Sequence, residues 1–171
     1  MSSDYEKMKK KVKYAINQLI SNDSYLLEND ANEVTLSSTL FCYLKNLFNE
    51  YDVDCEYNRR QNGDPKKLNV SRESCTHNTF VKPDIIVHQR DSTDHNYLVI
   101  EVKKTKSSKK EINFDDEKLR KFTIDSNNEY SSHNYGYSYG LGLIFKSGKN
   151  CLDDPILKWF NNGDVVEEEN L

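Results

Sequence analysis

The sequence predicts a single α/β domain built on a mixed, four-stranded central sheet flanked by helices. Three observations carry that reading. The apolar residues gather in short blocks although 30% of the chain is charged, which is the pattern of a folded domain and not of a disordered one. Two N-terminal stretches repeat apolar residues at helical spacing, and the segments after them switch to strand-like alternation. At 171 residues the chain is long enough for one buried core and too short for two.

Met8, Val12, Ala15, Ile16, Leu19 and Ile20 predict a first amphipathic helix over 4–20, with Ser3 or Asp4 as its N-cap. After a polar break at 21–24, a second helix begins near Ala31. It presents Leu36, Leu40, Tyr43, Leu44, Leu47, Phe48 and Tyr51 on a broad face able to cover a sheet. Val53, Cys55 and Tyr57 alternate with Asp54, Glu56 and Asn58, which predicts a half-buried strand ending at Arg59 and Arg60. From 61 to 78 the composition turns polar, with little apolar content beyond Leu68 and Val70, and reads as a loop or insertion. Apolar blocks at 85–87 and 98–102 flank a polar segment at 91–96 and predict a hairpin of central strands. Asp115 or Asp116 is placed to cap a helix carrying Leu119 and Phe122, and 137–145 has the character of a last strand, against which Gly136, Gly140 and Gly142 argue. Asp154 before Pro155, then Ile156, Leu157, Trp159 and Phe160, with Gly163 as a stop, predict a short C-terminal helix over 155–162, followed by a frayed Glu167 to Glu169. The expected order is α-α-β-β-β-α-β-α.

The net charge of −4 gives the molecule no overall field that would draw in a polyanion, so contact with nucleic acid has to use a local basic patch. Cys42, Cys55, Cys75 and Cys151 form no C-x-x-C pair and read as reduced thiols. Lys7, Lys9, Lys10, Lys11 and Lys13 are not followed by the apolar stretch of a signal peptide, and no run is long enough to cross a bilayer. The expectation is a soluble cytoplasmic protein without a membrane partner. A phosphate-binding glycine loop, a dinucleotide-binding turn, an H-E-x-x-H helix and a nucleophile elbow are all missing, which removes support for NTP hydrolysis, dinucleotide use, zinc proteolysis and esterase chemistry.

The central hairpin contains three ionisable residues where a buried strand would have none: Asp84 near the start of one strand, Glu101 and Lys103 near the end of the other. Glu101 and Lys103 are two apart and share a face, with Leu98, Ile100 and Val102 on the opposite one. A turn centred between Thr93 and Asp94 sets Asp84 across from Lys103 and Ile86 across from Glu101. All three polar groups then share one face, whereas a slip of one residue would separate them. Two carboxylates held close together repel unless a cation lies between them, and hard oxygen ligands suit Mg²⁺ or Mn²⁺. A lysine beside such a cation can orient or deprotonate water or stabilise charge on a phosphate, which together amount to phosphodiester hydrolysis.

Pro83-Asp84 opening one strand and Glu101-Val102-Lys103 closing the next, within an α-β-β-β-α-β order, resemble the PD-(D/E)xK (restriction-endonuclease-like) nuclease superfamily. The resemblance covers roughly residues 31–145 and includes an acidic residue on the helix before the sheet, matched here by Glu33. It implies a restriction-endonuclease-like αβββαβ core and a Mg²⁺-dependent endonuclease, with Mn²⁺ as substitute, that hydrolyses phosphodiester bonds of nucleic acid, DNA in preference to RNA. Asp84, Glu101, Glu33 and the Val102 carbonyl would be its metal ligands, and Asp84, Glu101 and Lys103 its catalytic centre. Segments 55–60, 83–88 and 97–104 also look like small bacterial or phage proteins of that superfamily linked with restriction, repair or defence.

Each residue has a plainer alternative: a solvated strand entrance for Asp84, and an exposed hairpin face with ordinary ion pairing across strands for Glu101 and Lys103. Glu33 closes a candidate capping box over 30–33. Lys104 and Lys106, with Lys109 and Lys110, suit a phosphate-binding stretch or a solvated loop. His88 shares the face of Asp84 and would touch substrate or serve the fold. Arg59 would grip phosphate or form a surface ion pair, and Tyr130, Tyr135, Tyr137 and Tyr139 would stack on bases or pack a strand. As a whole, the rival to a nuclease is a catalytically inactive copy of the fold that binds nucleic acid or a protein partner, and the length suits action as a homodimer or subunit.

Overall fold

A computed structural model describes residues 2–59, 65–72, 75–90, 92, 95–124, 135–148, 151 and 153–171, with the backbone alone at 69, 71, 72 and 75–79. Helix α1 (Ser3–Asn22) starts at Ser2, whose hydroxyl accepts the Tyr5 N–H, and buries the stripe of Tyr5, Met8, Val12, Ala15, Ile16 and Leu19. A single turn, α2 (Ser24–Glu28), leads into α3 (Glu33–Lys45), which buries Leu36, Leu40 and Leu44. The cap of α3 is Asn32, which takes the Thr35 N–H. A capping box over 30–33 is therefore not formed, and the Glu33 side chain is released for other partners.

Five further elements follow before the second half of the sheet: β1 (Asp52–Cys55), β2 (Lys67–Arg72), β3 (Cys75–Phe80), β4 (Ile85–His88) and β5 (Leu98–Lys104). Then come α4 (Lys109–Thr123), β6 (Tyr139–Phe145), β7 (Ile156–Asn161) and β8 (Asp164–Asn170). The main sheet has six strands in the order β1-β4-β5-β6-β7-β8, and β2 pairs with β3 as a separate hairpin. Among the described strands only β5 and β6 run parallel, because α4 carries the chain across between them, and the other neighbours are antiparallel. The architecture is thus α/β with a mostly antiparallel six-stranded sheet, larger than the four strands expected.

Two cores sandwich this sheet. On one face, α1 and α3 cover Val53, Ile85, Val87, Leu98, Ile100, Val102, Leu141, Leu143, Leu157 and Trp159. On the other, α4 and β2 cover Ile86, Val99 and Phe160 with Leu68, Val70, Leu119, Phe122 and Tyr137. The alternation along β4 and β5 sends odd-numbered residues of β4 to the α1/α3 side and Asp84, Ile86 and His88 to the α4 side, together with Val99, Glu101 and Lys103 of β5. Gly140 and Gly142 of β6 are strand residues that let α4 come close: a Cβ at Gly140 would lie 3.1 Å from Thr123 Cγ2 and 3.2 Å from Phe160 Cβ.

Several expectations are corrected. The segment 61–78 is not a loop throughout, since its end contributes β2 and the start of β3. The first strand does not run on to Arg59: β1 stops at Cys55, where Glu56 turns to φ +53, and Arg59 makes an isolated bridge to Pro65. The helix expected to be capped by Asp115 or Asp116 is capped seven or eight residues earlier by Ser108, which forms a reciprocal capping box with Glu111. The expected C-terminal helix over 155–162 is instead β7, and the expected frayed tail is β8. The reason is the Asn162-Gly163 pair, with φ +47 and +82, which makes the tight two-residue turn that suits a hairpin. Glu167 and Glu169 of β8 are then fixed to Lys9 and Lys13 of α1. Arg60, Thr93, Asp94 and Tyr130 lie outside the described residues. No helix among the described residues is long and apolar enough to cross a membrane, and Cys42, Cys55 and Cys151 are free thiols.

Candidate functional site

The ladder between β4 and β5 pairs Ile85 with Ile100, Ile86 with Val99 and Val87 with Leu98. Continued by one pair, it sets Asp84 opposite Glu101, two residues away from the register expected from the turn. A shift of two preserves the face, so Asp84, Glu101 and Lys103 still point to the α4 side. Asp84 stands just before the ladder: its carbonyl accepts the Glu56 N–H at 2.9 Å and its Oδ2 accepts the Val102 N–H at 2.7 Å. Its side chain is thereby tied across the strand pair. Val102 itself turns its side chain into the opposite core, and Lys103 Nζ lies 3.4 Å from its carbonyl oxygen.

Glu101 is only 2% exposed, and α4 meets it with a residue the sequence reading missed. Lys118, 8% exposed, places Nζ 2.8 Å from Glu101 Oε2 and 2.7 Å from Asp115 Oδ1. Asp115, 6% exposed, faces Lys103 Nζ with its other oxygen at 3.0 Å. Lys103 then spans the end of the sheet to reach Glu33 Oε2 at 3.0 Å. The remaining Glu33 oxygen accepts the Ser107 hydroxyl at 2.7 Å and the Lys104 N–H at 3.3 Å. The cluster runs Glu33, Lys103, Asp115, Lys118, Glu101, from a partly open end at Glu33 to a closed end at Glu101, with Asp84 alongside.

The balance of this cluster is uneven. Four carboxylates (Glu33, Asp84, Glu101, Asp115) face two ammoniums (Lys103, Lys118), a formal excess of two negative charges. Glu101 Oε1 is buried with no hydrogen-bond partner among the described residues, an arrangement that ordinarily costs about 1–3 kcal/mol. A cavity of about 20 Å³, room for one water-sized occupant, lies between Glu101, Lys103, Asp115, Asp116 and Lys158.

Electrostatics follow the burial. Desolvation raises the Asp84 carboxyl above its ordinary range against the opposing pull of the Val102 N–H and the lysines. Glu101 is raised as well, by burial first, with the charges of Asp84 and Asp115 adding to it and Lys118 opposing. Burial would lower both lysines, yet Asp115 and Glu33 hold Lys103 above its ordinary value and Glu101 and Asp115 do the same for Lys118. Both amines are therefore charged at neutral pH.

The residues expected to hold nucleic acid are dispersed. Lys104 Nζ donates to Asp30 Oδ1 and to the Asp30 and Ala31 carbonyls, and Lys106 pairs with Asp30 at 2.6 Å. Both lysines thus hold the turn before α3, where Asp30 sits at φ +55. His88 is buried and bonds Asp54 Oδ2 at 2.9 Å, beside Arg90 and the Tyr57 ring. Burial lowers the His88 pKa despite Asp54, which fits a neutral imidazole serving the fold. Arg59 is exposed and its backbone bridges Pro65. Tyr135 and Tyr137 are buried against Phe122, so packing accounts for them.

Asp115 and Lys118 had a legible signal. The capping box at Ser108 and Glu111 fixes the phase of α4, and then Asp115, Lys118, Leu119 and Phe122 fall on one stripe. Among the described residues, no group of three or more His, Cys, Asp or Glu side chains is arranged to hold a metal ion. Two carboxylates, however, suffice for Mg²⁺, which keeps several waters. The donor set at Asp84 and Glu101 fits such an ion through hard oxygens, one of them unpartnered. Comparisons with protein-family models, with curated proteins and with solved structures give no match for this chain.

Proposed function

We propose that the chain is a metal-dependent nuclease of the PD-(D/E)xK type, a Mg²⁺-dependent endonuclease hydrolysing phosphodiester bonds of nucleic acid at the Asp84, Glu101, Lys103 end of the β4–β5 pair. The observation that carries this reading is the buried Glu101 oxygen without a partner among the described residues, in a cluster where four carboxylates, Asp84 among them, meet two ammoniums. Burial and the neighbouring carboxylates push Glu101 up to about 8, and a divalent cation would displace that proton and use the same oxygens. The α/β sheet with a helical crossover after the Glu101-Val102-Lys103 strand is the frame that a restriction-endonuclease-like core would use. DNA is preferred over RNA on the family resemblance, and restriction, repair or defence is the setting it suggests.

In this reading Asp84, Glu101 and the Val102 carbonyl would hold Mg²⁺ or Mn²⁺, and Glu33 would act through Lys103. When bound, the ion supplies a Lewis acid that lowers the pKa of water and offsets charge on the phosphate. Lys103, kept protonated by Asp115 and Glu33, places a fixed positive charge at the open end of the cluster, where it would stabilise charge developing on a phosphate oxygen. It is a poor proton acceptor in that state. Helix α4 keeps bulk water from Glu101, which strengthens every charge interaction there. Lys104 and Lys106 would first have to leave Asp30 to grip a phosphate.

A second reading has its own observation: Lys118 already bridges two carboxylates, as expected if the site has become a structural network in an inactive module that binds nucleic acid or a protein partner. The discriminating experiment incubates the protein with plasmid, single-stranded DNA and RNA in Mg²⁺, Mn²⁺ or EDTA, beside Asp84→Ala and Lys103→Ala. Metal-dependent cleavage that falls about 100-fold or more in both variants is expected. Cleavage surviving both substitutions refutes the site, and metal-independent binding without cleavage favours the inactive module.

A further inference from the structure

We propose that the Lys118 ammonium is a built-in cation that fills the position between Glu101 and Asp115 and thereby restricts the cluster to one divalent ion. This rests on the metal-binding part of the reading above and adds a residue and a stoichiometry to it.

The geometry is that of a bridging cation. Nζ stands 2.8 Å from Glu101 Oε2 and 2.7 Å from Asp115 Oδ1, joining a strand carboxylate to a helix carboxylate as an ion would. The amine is not an incidental surface contact, because Lys118 is almost fully buried and its Nζ also lies 5.6 Å from the centre of the Phe114 ring. Helical spacing supports it: Asp115 and Lys118 are three apart and face the same strand. Glu101 consequently divides its oxygens, one engaged by Lys118 and one, Oε1, unpartnered.

Charge sets the count. With Lys118 and Lys103 in place and all four carboxylates ionised by a bound cation, the excess of two negative charges is cancelled by one divalent ion, and a second would leave two uncompensated positive charges in a buried site. Without the Lys118 amine, the same carboxylates carry an excess of three and gain a second pair of facing oxygens. Two-metal phosphodiesterases hold both ions with such carboxylate pairs. Here a side chain takes one of the two places.

The test is Mn²⁺ binding, read by calorimetry and by the paramagnetic resonance of free Mn²⁺, on the full chain as wild type, Lys118→Met and Lys118→Arg. Wild type and Lys118→Arg are expected to bind one ion, and Lys118→Met to bind a second ion or to bind the first about tenfold more tightly. Unchanged number and affinity in Lys118→Met, or weaker binding, overturns the proposal. If Lys118→Met does not fold without metal, recovery of the fold in Mn²⁺ but not in Na⁺ of equal ionic strength supports it, and failure in both overturns it. If wild type binds no Mn²⁺ while Lys118→Met does, Lys118 is the resident cation but the nuclease reading fails. If no form binds Mn²⁺, both fail.

Discussion

Two charged clusters tie helices to this sheet, and they differ in the feature that matters for function. At the α1–β8 contact, Lys9 and Lys13 meet Glu167 and Glu169, two charges against two. Every carboxylate oxygen there has a donor, since Tyr5 takes the second oxygen of Glu167 and the Trp159 indole adds to Glu169. The cluster under α4 is more deeply buried, carries four carboxylates to two ammoniums and leaves Glu101 Oε1 without a partner. A balanced and satisfied cluster needs nothing more than the fold to explain it. An unbalanced one in a buried place keeps a proton, as the raised Glu101 does, or takes a cation, as we propose.

The largest contrast should appear on removing one amine from each. Lys118→Ala leaves Glu101 and Asp115 buried without their bridge and should cost about 3–5 kcal/mol in metal-free solution, measured by urea unfolding. A loss below about 1 kcal/mol would mean that water reaches Glu101 freely and that the two clusters are alike.

A smaller and opposite pair of effects should appear with pH. The folded-state pKa of Glu101 is raised, so its contribution is fully present below the unfolded value, about 4.3, and is lost as pH rises through the folded one. Glu169 is lowered, chiefly because Lys9 and Lys13 outweigh the desolvation that would raise it. Its contribution is present above that same unfolded value and is lost as pH falls through the folded one. Metal-free protein should therefore lose Tm between about pH 5 and pH 8, and Glu101→Gln should flatten that slope without altering the acid limb. A slope unchanged in Glu101→Gln would place the titrating group elsewhere.

The smallest effect belongs to the α1–β8 contact. Lys13→Ala should cost about 0.2–1 kcal/mol and the cost should shrink in high salt, because the pair is part-exposed. Metal ions should leave it unchanged.

The same contrast explains what was legible beforehand. Asp84, Glu101 and Lys103 could be found because period two fixes faces, and the face survived an error of two residues in register where an error of one would have lost it. Asp115 and Lys118 depend on how α4 docks, and the helix start was sought at Asp115 although Ser108 and Glu111 mark it. At the C-terminus, Asp154-Pro155 resembled a helix start, but Leu157 and Trp159 point to one core while Asn162-Gly163 turns the chain back. Once β7 and β8 extend the sheet, Glu167 and Glu169 meet α1. That contact is not visible in local pattern, since its partners lie more than 150 residues apart.

The most direct measurement is anomalous scattering from a crystal soaked in Mn²⁺. A peak is expected in contact with the Asp84 carboxylate and Glu101 Oε1, with Lys118 still on Glu101 Oε2. Mn²⁺ found only at exposed acidic residues such as those of β8, with the Asp84 and Glu101 side chains bare, would contradict it.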